Sequence, residues 1–171
     1  QLWIESGAGR SANASDDLYR AAGATVADRA TVIASADIIP FISPPDQASL
    51  AQLRSGQCIM GFLKPLWQPE RFEALAAQNV TALSMELIPR ITRAQRMDVL
   101  SSMSTVAGYK AVLLAANKLE RFLPMLTTAA GTITPARFIV IGAGVAGLQA
   151  MATAKRLGAV VKGFDTRPAA G

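Results

Sequence analysis

The sequence predicts an α/β fold, two lobes with parallel sheets joined by a long helix, and three observations carry that expectation. Short apolar runs alternate with helical stretches along the 171 residues, which is how strands and covering helices read in a parallel sheet. One helical stretch, from Arg93 to Arg121, is far longer than an average helix. Near the C-terminal end an apolar run passes straight into a glycine-rich turn and a second helical pattern.

Strands are expected at Leu2 to Glu5, Thr31 to Ile33, Ile38 to Ile42, Cys58 to Leu63, Thr81 to Ser84, Arg137 to Ile141 and Val160 to Phe164. Helices are expected at Asp16 to Ala22, Asp46 to Leu53, Pro69 to Gln78, Arg93 to Arg121 and Ala146 to Leu157. Thr92 followed by Gln95 has the spacing of a capping box. Val99, Met103, Val106, Ala107, Leu113 and Leu114 then fall on several faces, as in a helix buried on most sides. Pro124 and the run Thr127-Thr128-Ala129-Ala130-Gly131-Thr132 end it. The expected partition is a first α/β lobe over 1–92, a connecting helix and linker over 93–133, and a second lobe holding the glycine-rich turn over 134–171.

Composition narrows the function. Hydrophobic residues make up 51% and charged ones 17%, the balance of a compact core-forming chain. There is no histidine, which removes His-based triads and His-bound zinc. The single cysteine, Cys58, lies in the apolar run Cys58-Ile59-Met60-Gly61-Phe62-Leu63 and reads as a small buried hydrophobe. A net charge of +5 with Arg90, Arg93 and Arg96 as its one tight cluster lacks the dense basic stripe of a nucleic-acid protein. No apolar run reaches the roughly 18 residues of a bilayer span, and the richest stretch, Phe138 to Ala152, is interrupted by three glycines, so no direct membrane insertion is expected.

The sharpest motif is Arg137-Phe138-Ile139-Val140-Ile141 leading into Gly142-Ala143-Gly144-Val145-Ala146-Gly147. In G-x-G-x-x-G, Gly142 permits the tight turn, Gly144 lets backbone approach a pyrophosphate, and Gly147 lets helix and strand pack closely. Bare N–H groups at the helix start then hold the phosphates. A second strand follows and ends in Asp165, 18 positions after Gly147, near the spacing of about 20 for the acid that binds adenosine ribose. A carboxylate there accepts both ribose hydroxyls and repels a 2′-phosphate, which favours NAD(H). Arg167 could attract such a phosphate, and the sequence leaves its direction open. The bland alternative, a glycine turn that only packs tightly, leaves Asp165 without a task.

Two further stretches carry a resemblance. Ile88-Pro89-Arg90-Ile91-Thr92-Arg93-Ala94-Gln95-Arg96-Met97-Asp98-Val99-Leu100-Ser101-Ser102-Met103 with Ala107-Gly108-Tyr109-Lys110-Ala111, and Phe164-Asp165-Thr166-Arg167-Pro168, resemble the NAD(H)-binding domain of the proton-translocating NAD(P) transhydrogenase alpha-subunit family, in the alanine dehydrogenase/transhydrogenase superfamily. The resemblance runs over nearly the whole chain and implies two Rossmann-like lobes. It also implies an Arg–Gln–Asp–Ser set at the nicotinamide end of the nucleotide, here Arg90, Gln95, Asp98 and Ser101. A plainer reading makes these helix-start residues, and both readings can hold at once.

The family implies hydride transfer between NAD(H) on this chain and NADP(H) on a partner subunit. It further implies proton translocation by membrane-spanning subunits, a homodimer, and a place at the cytoplasmic face of the inner membrane or the matrix side of a mitochondrial one. It implies, too, another strand before Gln1, and further strands and a mobile loop beyond Gly171. Two other readings remain at this point. One is an alanine dehydrogenase-like oxidoreductase, disfavoured because Pro40-Phe41-Ile42-Ser43-Pro44 and Gly61-Phe62-Leu63-Lys64-Pro65 offer only Lys64 as a charged group. The other is a nucleotide-binding regulatory module without catalysis.

Overall fold

A computed structural model describes residues 1–167; the Pro168 of the second resembling stretch lies outside the described residues. The chain divides into two compact units, Gln1–Met97 and Asp98–Gly171.

In the first unit, β1 (Trp3–Glu5) pairs in parallel with β2 (Thr25–Ala27). A second parallel sheet has the order β3 (Ile38–Phe41), β4 (Cys58–Gly61), β5 (Thr81–Ser84). The helices are α1 (Asp16–Ala21), α2 (Arg29–Ser35), α3 (Gln47–Ala51) and α4 (Pro69–Ala77). Side-chain oxygens of Ser15, Asp28 and Asp46 accept N–H bonds three residues on and fix three of these starts. Ile33, Ile39, Leu50, Leu53, Ile59, Leu63, Leu75 and Val80 form the core. Gln57 is buried within this unit and fully occupied: its amide donates to the carbonyls of Ile33 and Ala36 at 2.7 Å each, and its oxygen accepts from the Arg54 N–H. Cys58 is only partly buried. β1 and β3 line an open groove of about 880 Å³.

The expected strand at Thr31 to Ile33 is instead part of α2. Its β-branched run is overridden by a local cap, since Asp28 accepts both the Thr31 N–H and the Thr31 hydroxyl at 2.9 Å. The short strand β2 had no counterpart in the sequence reading.

In the second unit, α5 (Val99–Lys118) is followed by the antiparallel hairpin β6 (Leu126–Thr128) and β7 (Gly131–Ile133). Then come β8 (Arg137–Ile141), α6 (Val145–Arg156) and β9 (Val160–Phe164), with β8 and β9 parallel. The hairpin lies in the stretch read from sequence as linker. A capping box at Thr92 is not what starts the long helix: Thr92–Met97 is a 3₁₀ segment, and α5 opens after Asp98, whose side chain accepts the Ser101 N–H. Rather than standing apart as a connector, α5 groups with the nucleotide unit and packs on α6. Gly108 makes that contact close, for a methyl group there would lie 2.9 Å from the Ala146 carbonyl carbon and 3.1 Å from its Cα. Val112, Ala154 and Ala159 form the core, with Leu123, Phe138 and Val161 against it.

By length and composition alone α5 would suffice to cross a bilayer, with mean hydropathy 1.4. No unbroken apolar run announced this, because its glycine, alanine and hydroxyl residues are spread among the large ones. The expected burial on most sides is not what the structure shows: only Gly108 and Val112 of α5 are buried, along its seam with α6, while Met103, Val106, Tyr109 and Leu114 stay about half exposed. The opposite face of the β8–β9 sheet is open, with Ile139 at 73% and Ile141 at 83% exposure.

Candidate functional site

The glycine turn joins β8 to α6 at the C-terminal end of a parallel strand, where open α/β sheets bind their ligands. Gly142 sits at φ +100, a left-handed conformation that residues with a Cβ adopt at a cost. Among the described residues a methyl group on Gly142 or Gly144 would meet nothing within 4 Å, so they leave the corner open to an approaching group. Gly147 is different: a Cβ there would collide with the Gly142 carbonyl oxygen and lie 2.8 Å from its carbon. That is the close strand–helix packing expected of the third glycine. Gly144 is the N-cap of α6 and, having no side chain, supplies no cap bond, so among the described residues the first N–H groups and the positive end of the helix dipole are available to an anion. Val145 and Gly144 are exposed, while Ala146 and Gly147 are half-buried.

Asp165 follows β9 directly, and β9 is tied to the turn by the Gly142 N–H donating to the Phe164 carbonyl at 2.7 Å. The Asp165 carboxylate accepts the Ala143 N–H at 2.7 Å, which aims it across the turn. It also accepts the Arg167 N–H at 2.8 Å and the Arg167 guanidinium through Nε and Nη2, both at 2.9 Å. The direction that sequence left open is therefore toward Asp165. The bidentate guanidinium, the Arg167 N–H and the Ala143 N–H, in that order, hold the carboxyl well below the usual carboxylate range, and Arg167 is correspondingly raised. Thr166 is exposed beside them. The Ala143 N–H is thus already used inside the protein, leaving the amides from Gly144 onward as donors to a diphosphate.

Of the four residues implied at the nicotinamide end, Arg90 and Gln95 belong to the first unit and are exposed, Gln95 within the 3₁₀ segment. Asp98 and Ser101 belong to the second unit and form one cap: Asp98 accepts the Ser101 N–H at 2.9 Å and the Ser101 hydroxyl at 2.6 Å. The helix-start reading of these two holds in the structure.

Sequence reasoning missed Glu86. It lies in a 3₁₀ turn, Met85–Leu87, just after β5. Its carboxylate accepts the N–H groups of Leu63 (3.2 Å) and Lys64 (2.6 Å) and the Ser84 hydroxyl (2.6 Å). Burial opposes its ionisation, yet these donors outweigh that and lower its pKa. Lys64, offered above as a lone cation, is exposed with a left-handed backbone at φ +57.

A parallel βαβ unit with an open glycine corner, an uncapped helix N-terminus and an acid closing the second strand defines a dinucleotide-binding α/β protein. Residues 1–107 match the family described as alanine dehydrogenase/PNT, N-terminal domain, and residues 111–171 match its C-terminal domain. The chain belongs to the alanine dehydrogenase/PNT family. It is 45% identical over 166 residues to NAD(P) transhydrogenase subunit alpha of Cereibacter sphaeroides, covering 96% of this chain and 32% of that subunit. The alanine dehydrogenase of Mycolicibacterium smegmatis is 30% identical, over 96% of this chain and 45% of that enzyme. The crystal structure of transhydrogenase from Sinorhizobium meliloti superposes with a TM-score of 0.96 at 47% identity, covering 99% of this chain and 51% of that one. The chain thus spans about a third to a half of the length of these relatives.

Proposed function

We propose that this chain forms a portion of the NAD(H)-binding component of an NAD(P) transhydrogenase, an oxidoreductase that passes hydride between NAD(H) held here and NADP(H) held on a partner subunit. The observation that carries the reading is the corner around Gly142, where helix dipole, open amides and Asp165 converge as an adenosine diphosphate requires. The higher identity to a transhydrogenase subunit than to an alanine dehydrogenase supports the same choice. So does the chemistry available. Hydride carried at the nicotinamide C4 is what the nucleotide supplies when bound, and its transfer to a second ring needs no protein acid or base.

The residues then have binding and orienting tasks. Amides from Gly144 to Gly147, with Val145 and Ala146 between, hold the diphosphate. Asp165 accepts ribose hydroxyls by sharing its carboxylate with Ala143 and exchanging contacts with Arg167; Thr166 lines the same end. Arg90 and Gln95 serve the nicotinamide end, Gln95 orienting the ring and Arg90 neutralising phosphate charge. Asp98 and Ser101 fix the helix start that follows them. In the whole complex this component works as a homodimer beside membrane-spanning subunits that couple transfer to proton translocation, at the cytoplasmic face of the inner membrane or the matrix side of a mitochondrial one.

The test combines the whole subunit with a separately prepared NADP(H)-binding component and follows reduction of an NAD analogue by NADPH. Asp165→Ala should weaken NADH binding, and Gln95→Ala should lose more in transfer rate than in affinity. Tight NADH binding without any transfer would point to a regulatory module and overturn the proposal.

A further inference from the structure

We infer that Glu86 is a positioning residue for the hydride-transfer reaction, a carboxylate clasp that fixes the segment carrying Arg90 and Gln95 against the turn after β4. The inference rests on the function proposed above.

Three features meet at this carboxylate, all within the first unit. The first is the turn itself. β4 ends at Gly61, whose backbone lies so close to Phe41 that a Cβ would strike the Phe41 carbonyl oxygen, and the chain then reaches Lys64 at φ +57. A left-handed backbone is unfavourable for a residue with a Cβ, and it persists where the surroundings over-determine it. Here the two successive N–H groups of Leu63 and Lys64 both point at Glu86, one to each carboxylate oxygen. From the far side the Lys64 carbonyl accepts the N–H groups of Trp67 and Gln68 at 3.1 Å.

The second feature is the orienting hydroxyl. Ser84, the last residue of β5, donates to the same Glu86 oxygen that receives the Leu63 N–H, so the carboxylate cannot rotate without losing a bond. The third is where Glu86 sits in the chain. It occupies the middle of the Met85–Leu87 turn that roots the stretch from Ile88 to Met97. Beyond the β4–β5 ladder, which runs to Gly61 and Ser84, this side chain ties the turn after β4 to the root of the Arg90–Gln95 segment. An ionised carboxylate suits the task because all three neighbours are donors. A glutamine would turn its NH₂ toward an N–H group and lose at least one of the backbone bonds.

The experiment uses the whole subunit with its NADP(H)-binding component and compares wild type, Glu86→Gln, Glu86→Asp and Gln95→Ala. For Glu86→Gln the transfer rate should fall roughly tenfold, as sub-ångström misplacement of an orienting group does. KM for NADH should stay near wild type, because the diphosphate and ribose contacts are elsewhere, while the melting temperature falls by a few degrees for the backbone bond that is lost. Glu86→Asp, which keeps the charge, should recover some of the rate. If Glu86→Gln fails to fold, Ser84→Ala supplies the same split at smaller size. A wild-type rate in Glu86→Gln, or a rate loss that comes only with a matching rise in KM for NADH, overturns the clasp. Loss of rate in Gln95→Ala with a normal Glu86→Gln sinks this inference alone. If Gln95→Ala transfers normally, the role given to Gln95 fails and the clasp with it, whereas NADH binding without transfer in wild type sinks the proposed function instead.

Discussion

Replacing Gly147 by alanine tests the packing on which the nucleotide corner depends. The added methyl group would overlap the Gly142 carbonyl oxygen, lie 2.8 Å from its carbon and 3.5 Å from Val140 Cγ1. Only the last neighbour is a side chain that can turn aside. The backbone of Gly142 cannot, because its N–H is held by the Phe164 carbonyl at 2.7 Å. α6 must therefore back away from β8 by about 1 Å, and overpacking of this kind costs about 2 kcal/mol. For a chain of this size that corresponds to a drop of about 4–8 °C in melting temperature. The same displacement carries the helix N-terminus off the diphosphate, and an ångström at such a contact is worth up to about a hundredfold. Titration of NADH by fluorescence, with thermal melting on the same samples, reads both quantities. A Gly147→Ala protein that binds NADH within twofold of wild type and melts at the same temperature would refute this geometry.

Two further predictions concern carboxylates. Asp165 has its pKa lowered below the ordinary 3.8 by Arg167 and Ala143; its contribution is therefore complete above that value and is lost only as pH falls through the lower, folded one. NADH affinity should accordingly show no limb from Asp165 between neutral pH and about pH 4, and a falling limb within that range in a titration series would contradict the Asp165–Arg167 contact. Asp98→Ala removes the cap of α5 and should cost about 1 kcal/mol, seen as faster amide exchange at Val99 to Ser101; unchanged exchange there would place the helix start elsewhere.

What could be read from sequence and what could not divides along a physical line. Strands β5, β8 and β9 are legible at their full extent because each is a short stretch of strand-forming residues set off by helices or turns, most plainly the apolar run of β8. The tight turn at Gly142 and the close packing at Gly147 are legible as well, since both depend on backbone geometry that G-x-G-x-x-G dictates locally. Where two local signals compete, residue type alone favours the wrong one. Thr31-Val32-Ile33 reads as strand by side-chain type, but Asp28 three residues earlier is the cap that decides it. Thr92 and Gln95 have the capping spacing, but Asp98 and Ser101 have the same one, and it is the second pair that caps the helix. β2 escapes notice because three residues form a strand only when Trp3–Glu5 supplies the other half of the ladder.

Glu86 and Arg167 belong to a different category. Glu86 is recognised by N–H groups 22 and 23 residues upstream, and a backbone amide has no side-chain identity for a pattern to match. The sequence shows a lysine at 64 and a glutamate at 86, which invites an ion pair. Instead the structure uses the lysine's main chain, because the left-handed turn at φ +57 presents its N–H to the carboxylate. Arg167 is the converse: its partner is two residues away and obvious in type, but the tight turn after β9 decides whether the guanidinium folds back or points outward. Both depend on where a turn leaves the main chain. The fold could therefore be inferred from residue types, whereas the residues that hold its binding elements in place required the backbone.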